Sequence, residues 1–186
     1  MNLKIMEDER IIVRLAIPAD VVFADQIIHE MESSAIARGS GISKRSAASV
    51  VEKIDNGKAV VAITPTGDWA GFSYIETWDN EKFVSNSGLI VAPKYRNQGI
   101  AAEIKTMIFE LSREKYPLAK IFSITSGLAI MKLNTRLGFE PVTYSEIAQE
   151  PRFWEGCKSC VNYGVLNSKN RCNCLCTAML YDPNLN

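Results

Sequence analysis

The sequence predicts a single α/β domain, with a mixed central sheet of about six to seven strands flanked by four helices. Three observations predict it. The chain has 186 residues, the length of one domain, and 47% of them are hydrophobic, enough to fill a core. Strand-like runs alternate with runs at helical spacing, in the order strand, two helices, three strands, helix, strand, helix, two strands. A loop carrying a glycine, Arg96 to Ala101, stands between the fourth strand and the third helix.

Each element has a local reason. Ile11 to Ile17 reads as a strand, stopped by Pro18-Ala19-Asp20. From Asp20 to Glu32 the apolar residues Val21, Phe23, Ala24, Ile27, Ile28 and Met31 keep helical spacing. Two glycines within Ala37 to Ser43 break that pattern, and a second helix runs from Ser46 to Asp55, ended by Asn56-Gly57. Lys58 to Thr64 and Trp69 to Trp78 form a hairpin across Pro65-Thr66-Gly67-Asp68, and Phe83 to Val91 is a third consecutive strand. Ala101 to Lys115 is a helix with Ile104, Met107, Ile108 and Leu111 on one face, ended by Tyr116-Pro117. Ile121 to Thr125 is a short buried strand. Leu128 to Leu137 is a helix with Gly138 as its C-terminal cap. Pro141 to Ile147 and Cys174 to Leu180 read as the last two strands, and Gln149 to Arg171 has no clear period.

Charge and cysteine usage exclude several classes. The 21 basic and 21 acidic residues cancel, which argues against broad nucleic-acid or membrane-surface binding, and no run has the apolar length of a membrane span. Met1 to Arg10 is mixed and charged and is not expected to be a signal peptide. Five cysteines, all after residue 156, do not make a secreted disulfide framework, so a cytoplasmic protein with reduced thiols is expected. Cys157-x-x-Cys160 has zinc-knuckle spacing, but strand alternation would place Cys172, Cys174 and Cys176 on one face as small buried thiols. No metal is expected, with zinc at the cysteines as the alternative.

The loop Arg96-Asn97-Gln98-Gly99-Ile100-Ala101 opens an amphipathic helix. A helix N-terminus offers unpaired N–H groups and partial positive charge, a combination that binds phosphate. Gly99 lets the backbone approach a ligand closely, Ala101 is small for the same reason, and Arg96 can add a charge-assisted contact. The loop lacks the Gly-Lys-Ser/Thr of a Walker loop and the three glycines of a dinucleotide fingerprint. These residues suggest a pyrophosphate-binding turn.

The run Val91-Ala92-Pro93-Lys94-Tyr95-Arg96-Asn97-Gln98-Gly99-Ile100-Ala101 resembles motif A of the GNAT acyltransferases, Arg/Gln-x-x-Gly-x-Gly/Ala. Leu137-Gly138-Phe139 resembles the end of motif B, and Val13 to Asp20 resembles the family's first strand and helix entry. The resemblance covers residues 11 to about 147. It implies an acyl-CoA donor, acetyl-CoA or succinyl-CoA, and transfer of the acyl group to an amine. It implies that Leu89, Ile90 and Val91 pair with the pantetheine arm and that a backbone N–H near Val91 polarises the thioester carbonyl. The pyrophosphate would lie on Arg96, Asn97, Gln98, Gly99, Ile100 and Ala101.

Direct transfer needs a base for the acceptor ammonium and an acid for the departing thiolate. The family often supplies the acid as a tyrosine, and Asn134 stands at that position. Family bases are commonly acidic residues on the strand before motif A. Asn86-Ser87-Gly88-Leu89 has none, so Glu76 on the preceding strand is the substitute, with a base acting through water as the other reading. The connection between the first two helices covers the acceptor site in this family. Here Arg38, Lys44 and Arg45 make it basic, and Arg38 and Arg45 could fork onto a carboxylate. That segment and the cysteine-rich end also resemble a bacterial group that forms N-acylglutamate in arginine biosynthesis. The partner expected is a small-molecule amine, probed against two other readings: a non-catalytic acyl-CoA sensor and an acetyltransferase for a protein amine. Residues 1–186 read as one domain, with 148–171 as an insertion placed to cover the acceptor cleft or a homodimer partner.

Overall fold

The computed structural model of the protein describes residues 10–185, so the charged stretch through residue 9 lies outside the described residues. Its strands are β1 (Ile12–Leu15), β2 (Ala59–Ile63), β3 (Trp69–Trp78), β4 (Phe83–Val91), β5 (Lys120–Thr125), β6 (Glu140–Val142) and β7 (Thr177–Tyr181). Its α-helices are α1 (Ala24–Ala37), α2 (Ala47–Asp55), α3 (Ile100–Lys115), α4 (Leu128–Arg136), α5 (Pro151–Glu155) and α6 (Tyr163–Ser168). The strands form one sheet in the order β1-β2-β3-β4-β5-β7-β6. Every pairing is antiparallel except β4 with β5, which is parallel.

The sheet buries both faces. Ile104, Ile108 and Leu111 of α3 pack with Ile75, Val84 and Ile121 on one face. Ile27 and Met31 of α1 and Val50 and Ile54 of α2 pack with Val61, Phe72 and Ile90 on the other. Each such side chain contributes about 1.5–3 kcal/mol on leaving water. Arg14 fixes the entry to α1 by a two-pronged pair with Asp20, at 2.7 and 2.9 Å, while the Asp20 carboxylate accepts from the Ile17 N–H at 2.8 Å. Ser46 caps α2 by accepting from the Ser49 N–H, and Gly138 follows α4 at φ +85°.

The structure departs from the sequence reading in four places. A 3₁₀ turn, Pro18–Phe23, precedes α1, which begins at Ala24 rather than Asp20 and ends at Ala37, where the pattern breaks. The strand expected from Pro141 to Ile147 closes after Val142, because Thr143 and Glu146 form a capping box that turns the chain. The final strand begins at Thr177, so Cys172, Cys174 and Cys176 lie in the loop before it and not along a strand face. The aperiodic segment folds as α5, a 3₁₀ turn and α6, bringing the α-helices among the described residues to six rather than four. It packs Trp154 and Leu166 onto Phe122, Tyr144 and Ile147. The cysteines are free thiols, and no group of three or more His, Cys, Asp or Glu among the described residues could hold a metal ion. No helix among the described residues is long and apolar enough to cross a membrane.

Candidate active site

β4 and β5 pair only from Phe83 to Ser85 and from Lys120 to Phe122, after which they part. A bulge in β4 accompanies the split. Tyr74 faces Ser87 while Phe72 faces Ile90, so β4 carries one extra residue there. Gly88 absorbs the bend at φ +65°, and a Cβ on it would lie 2.6 Å from the Tyr74 ring. Beyond the bulge, Ala92 N–H donates to Ala70 and Ile90 pairs with Phe72. Strand alternation therefore turns the N–H groups of Leu89 and Val91 to the open edge facing the gap.

Beyond β4 the chain passes through a 3₁₀ turn, Pro93–Tyr95, to the start of α3. Asn97 and Gly99 both take positive φ, 62° and 84°. The backbone N–H groups of Asn97, Gln98, Gly99, Ile100 and Ala101 have no acceptor among the described residues. Consecutive N–H groups turned outward at a helix start form an anion cradle. Arg96 does not extend over it. Its guanidinium donates to the Val91 carbonyl at 3.0 Å, Glu30 at 2.9 Å and Ser34 at 2.6 Å, tying the loop to α1. The cradle is thus made by backbone, with Arg96 as its brace.

The gap opens into a cleft of about 290 Å³. Ser85, Asn86, Ser87, Gly88 and Leu89 form one wall, and Phe122 to Ser126 form the other. The α1–α2 connection and the α5–α6 segment cover it. They are tied together where the Lys44 N–H donates to Ser159 Oγ at 2.9 Å. Arg38 and Arg45 both line the cleft, Arg38 exposed at the rim and Arg45 half-buried. Arg45 donates from Nε to the Tyr74 hydroxyl at 2.6 Å and from one terminal nitrogen to the Ser43 carbonyl. Cys157 and Cys176 also line the cleft, and burial, then the neighbouring thiols, pushes each up to about 11, so they stand as protonated thiols at neutral pH.

No family model matches the chain, and no curated protein matches it. Solved structures do. N-acetylglutamate synthase from Neisseria gonorrhoeae, complexed with coenzyme A and N-acetyl-glutamate, aligns over 93% of this chain at TM-score 0.65 and 14% identity. This chain spans only 35% of that synthase. Rv2747 from Mycobacterium tuberculosis, in complex with CoA, aligns over 92% of this chain and 98% of its own at TM-score 0.62 and 20% identity. The diaminobutyrate acetyltransferase EctA from Paenibacillus lautus, with L-2,4-diaminobutyric acid and coenzyme A, aligns over 94% and 96% at TM-score 0.61 and 13% identity. This is the GNAT fold.

Within the GNAT frame, the two residues read from the sequence as base and acid are not brought to the cleft. Glu76 lies on β3 with Oε2 2.8 Å from Lys53 Nζ and Oε1 3.9 Å from Arg152. Lys53 is itself buried, which disfavours its charge, yet Glu76 and Glu52 hold its pKa above the usual lysine value. Asn134 has no exposed surface: its Nδ2 donates to Met179 Sδ at 3.5 Å and its Oδ1 has no partner. Of the residues read from the sequence, Arg38, Arg45 and Leu89 line the cleft, while Arg96 to Ala101 lie at the start of α3, after the end of β4. Sequence reasoning passed over Tyr74, which orients Arg45, and Lys105, which sits 2% exposed beneath β4. A lysine inside the apolar stripe of α3 was the available signal.

Proposed function

We propose that this chain is an N-acyltransferase that moves an acyl group from acyl-CoA to the amine of a small molecule, an amino acid with a side-chain carboxylate such as glutamate. One observation carries the reading: five backbone N–H groups without acceptors among the described residues stand at the start of α3, just after a strand whose split edge walls a cleft bearing two arginines. The cradle takes the pyrophosphate of CoA, and the β4 edge takes the pantetheine by strand-like pairing. The Leu89 or Val91 N–H receives the thioester carbonyl where negative charge develops.

The acceptor enters from the covered side. Arg45, held by Tyr74 and Ser43, keeps a terminal nitrogen for the acceptor carboxylate, and Arg38 adds a second cation at the rim. The acceptor ammonium loses a proton to water, its nitrogen attacks the thioester carbon, and the C–S bond breaks to release CoA. The pairing of Glu76 with Lys53 favours this water-assisted route over a carboxylate base. Cover by α5 and α6 favours a small acceptor over a peptide. The hydroxyls of Ser85, Ser87 and Ser123 at the cleft floor suit a polar acyl end as well as an acetyl group, so both acetyl-CoA and succinyl-CoA belong in the assay.

Thiol release from each donor, measured against a panel of amino acids and peptides, tests the reading. Release with glutamate or a related dicarboxylic amino acid supports it. Release only with peptide amines would move the acceptor to a protein. Tight CoA binding with no release would make the chain a sensor.

A further inference from the structure

Lys105 lies on α3 four residues after Ala101, hence on the same helix face and one turn further along the helix. It is 2% exposed. An ammonium has three N–H donors, and the one protein acceptor among the described residues is Asn86 Oδ1, at 2.9 Å. Asn86 in turn donates to Ser112 Oγ at 2.8 Å, and Ser112 to the Ile108 carbonyl at 2.7 Å, which fixes the amide. The Phe139 ring lies 4.6 Å from Nζ on another side. Asn86 is a wall residue of the cleft, where β4 and β5 part.

No carboxylate balances this lysine. β4 carries no titratable side chain. On α3, Glu103 is paired with Arg10, and Arg113 lies over the Tyr181 ring of β7. Lys132 and Arg136 of α4 are exposed, and Lys120 of β5 is paired with Asp182. Burial alone lowers Lys105 from 10.5 to about 7. A buried cation without a counter-charge costs stability, and one whose single acceptor, Asn86, lines a cleft points to use. The reaction has a matching vacancy. The resemblance to the GNAT acyltransferases implies an acid where Asn134 stands, and that amide is turned to Met179.

We propose that Lys105 is the general acid for the departing CoA thiolate. The acceptor nitrogen forms its bond to the thioester carbon, the C–S bond breaks with its electron pair on sulfur, and the Lys105 ammonium transfers a proton to that sulfur. The neutral amine regains a proton from solvent, which has taken the one shed by the acceptor. The assignment rests on the acyl-CoA reading of the cradle and β4 edge. It goes beyond that reading by naming the acid.

The test has a readout that needs no acceptor. CoA bound to the protein is titrated by the ultraviolet absorbance of its thiolate, with desulfo-CoA as the blank, in the parent and in Lys105→Met. In the parent the Lys105 amine and the thiol titrate as a coupled pair, so part of the thiolate absorbance appears in the step near pH 7, and that part disappears in the variant. In turnover with an acceptor that gives release, Lys105→Met loses about a hundredfold in kcat and loses the fall in rate above pH about 7. Equal thiol titrations in the two proteins would overturn the assignment. So would a Lys105→Met defect confined to succinyl-CoA, which would place the ammonium at the acyl end instead. Failure of the parent to release thiol with any amine would count against the proposed function and leave the thiol titration standing.

Discussion

Gly99 shows how little side chain the cradle needs. Its φ of 84° is a glycine conformation, and no protein atom lies within 4 Å of where a Cβ would be. Gly99→Glu therefore costs the fold about 1–2 kcal/mol of backbone strain, while placing bulk and negative charge at the proposed pyrophosphate site. Calorimetry on a cooperatively melting variant should find CoA binding abolished; unchanged affinity would remove the cradle from the account. Arg38 and Arg45 test the acceptor side. Replacing either with Ala should lower kcat/KM for a dicarboxylic amino acid about tenfold, the worth of one charge-assisted contact, with CoA affinity unmoved. The amide analogue should already be poor and lose little more, and equal losses for acid and amide would refute the clamp. Lys105 adds a stability signature. Its folded-state pKa is about 7 against an ordinary 10.5, so the unfolded chain holds the extra proton between those values and stability rises with pH across that window. Lys105→Met should thus raise stability at pH 7, by at most about 4 kcal/mol, with the gain shrinking toward pH 10, as read from denaturant midpoints.

Elements place these residues, and β4 is the one on which the site depends. Gly88→Ala would drive a Cβ to 2.6 Å from Tyr74 and 2.9 Å from Met31 at a φ of +65°. Stability should fall by about 2–3 kcal/mol, and CoA affinity should fall with it because the open edge moves. A variant with full stability and full affinity would show that the bulge is dispensable. The entry to α1 has its own acid limb. Burial pushes the Asp20 carboxyl up, but Arg14 and the Ile17 N–H hold it below the usual carboxylate value overall. Its stabilisation is present above the unfolded pKa of about 4 and is lost as pH falls through the folded one. Asp20→Asn should cost about 2 kcal/mol at neutral pH and flatten the stability profile below pH about 4. Most of these elements were legible locally: the apolar stripe of α3, the Pro-Thr-Gly-Asp turn, the Ser46 cap and Gly138. The segments α5 and α6 were not, because five and six residues are too few to display a helical period. The early end of β6 needed the Thr143–Glu146 capping box, which propensity does not reveal.

At the scale of the molecule, the proposed site joins the start of α3 to a cleft covered by α5 and α6. The cradle was readable from sequence because its chemistry is local: a helix start, a glycine and a small residue within six positions. The partners of Glu76 and Asn134 were not, because Lys53 and Met179 reach them from 23 and 45 residues away. Lys105 was hidden for the same reason, its environment being supplied by Asn86 and Phe139. CoA should bind the folded chain alone and stabilise it by about 2.7 kcal/mol at a hundred times its Kd. The most direct test of acyl transfer at this site is mass spectrometry of the products from acetyl-CoA or succinyl-CoA and glutamate. The account predicts free CoA and N-acylglutamate in equal amounts with the parent and neither with Gly99→Glu. Equal product from the two proteins, or CoA binding by the parent with no acylated amine from any acceptor, would contradict it.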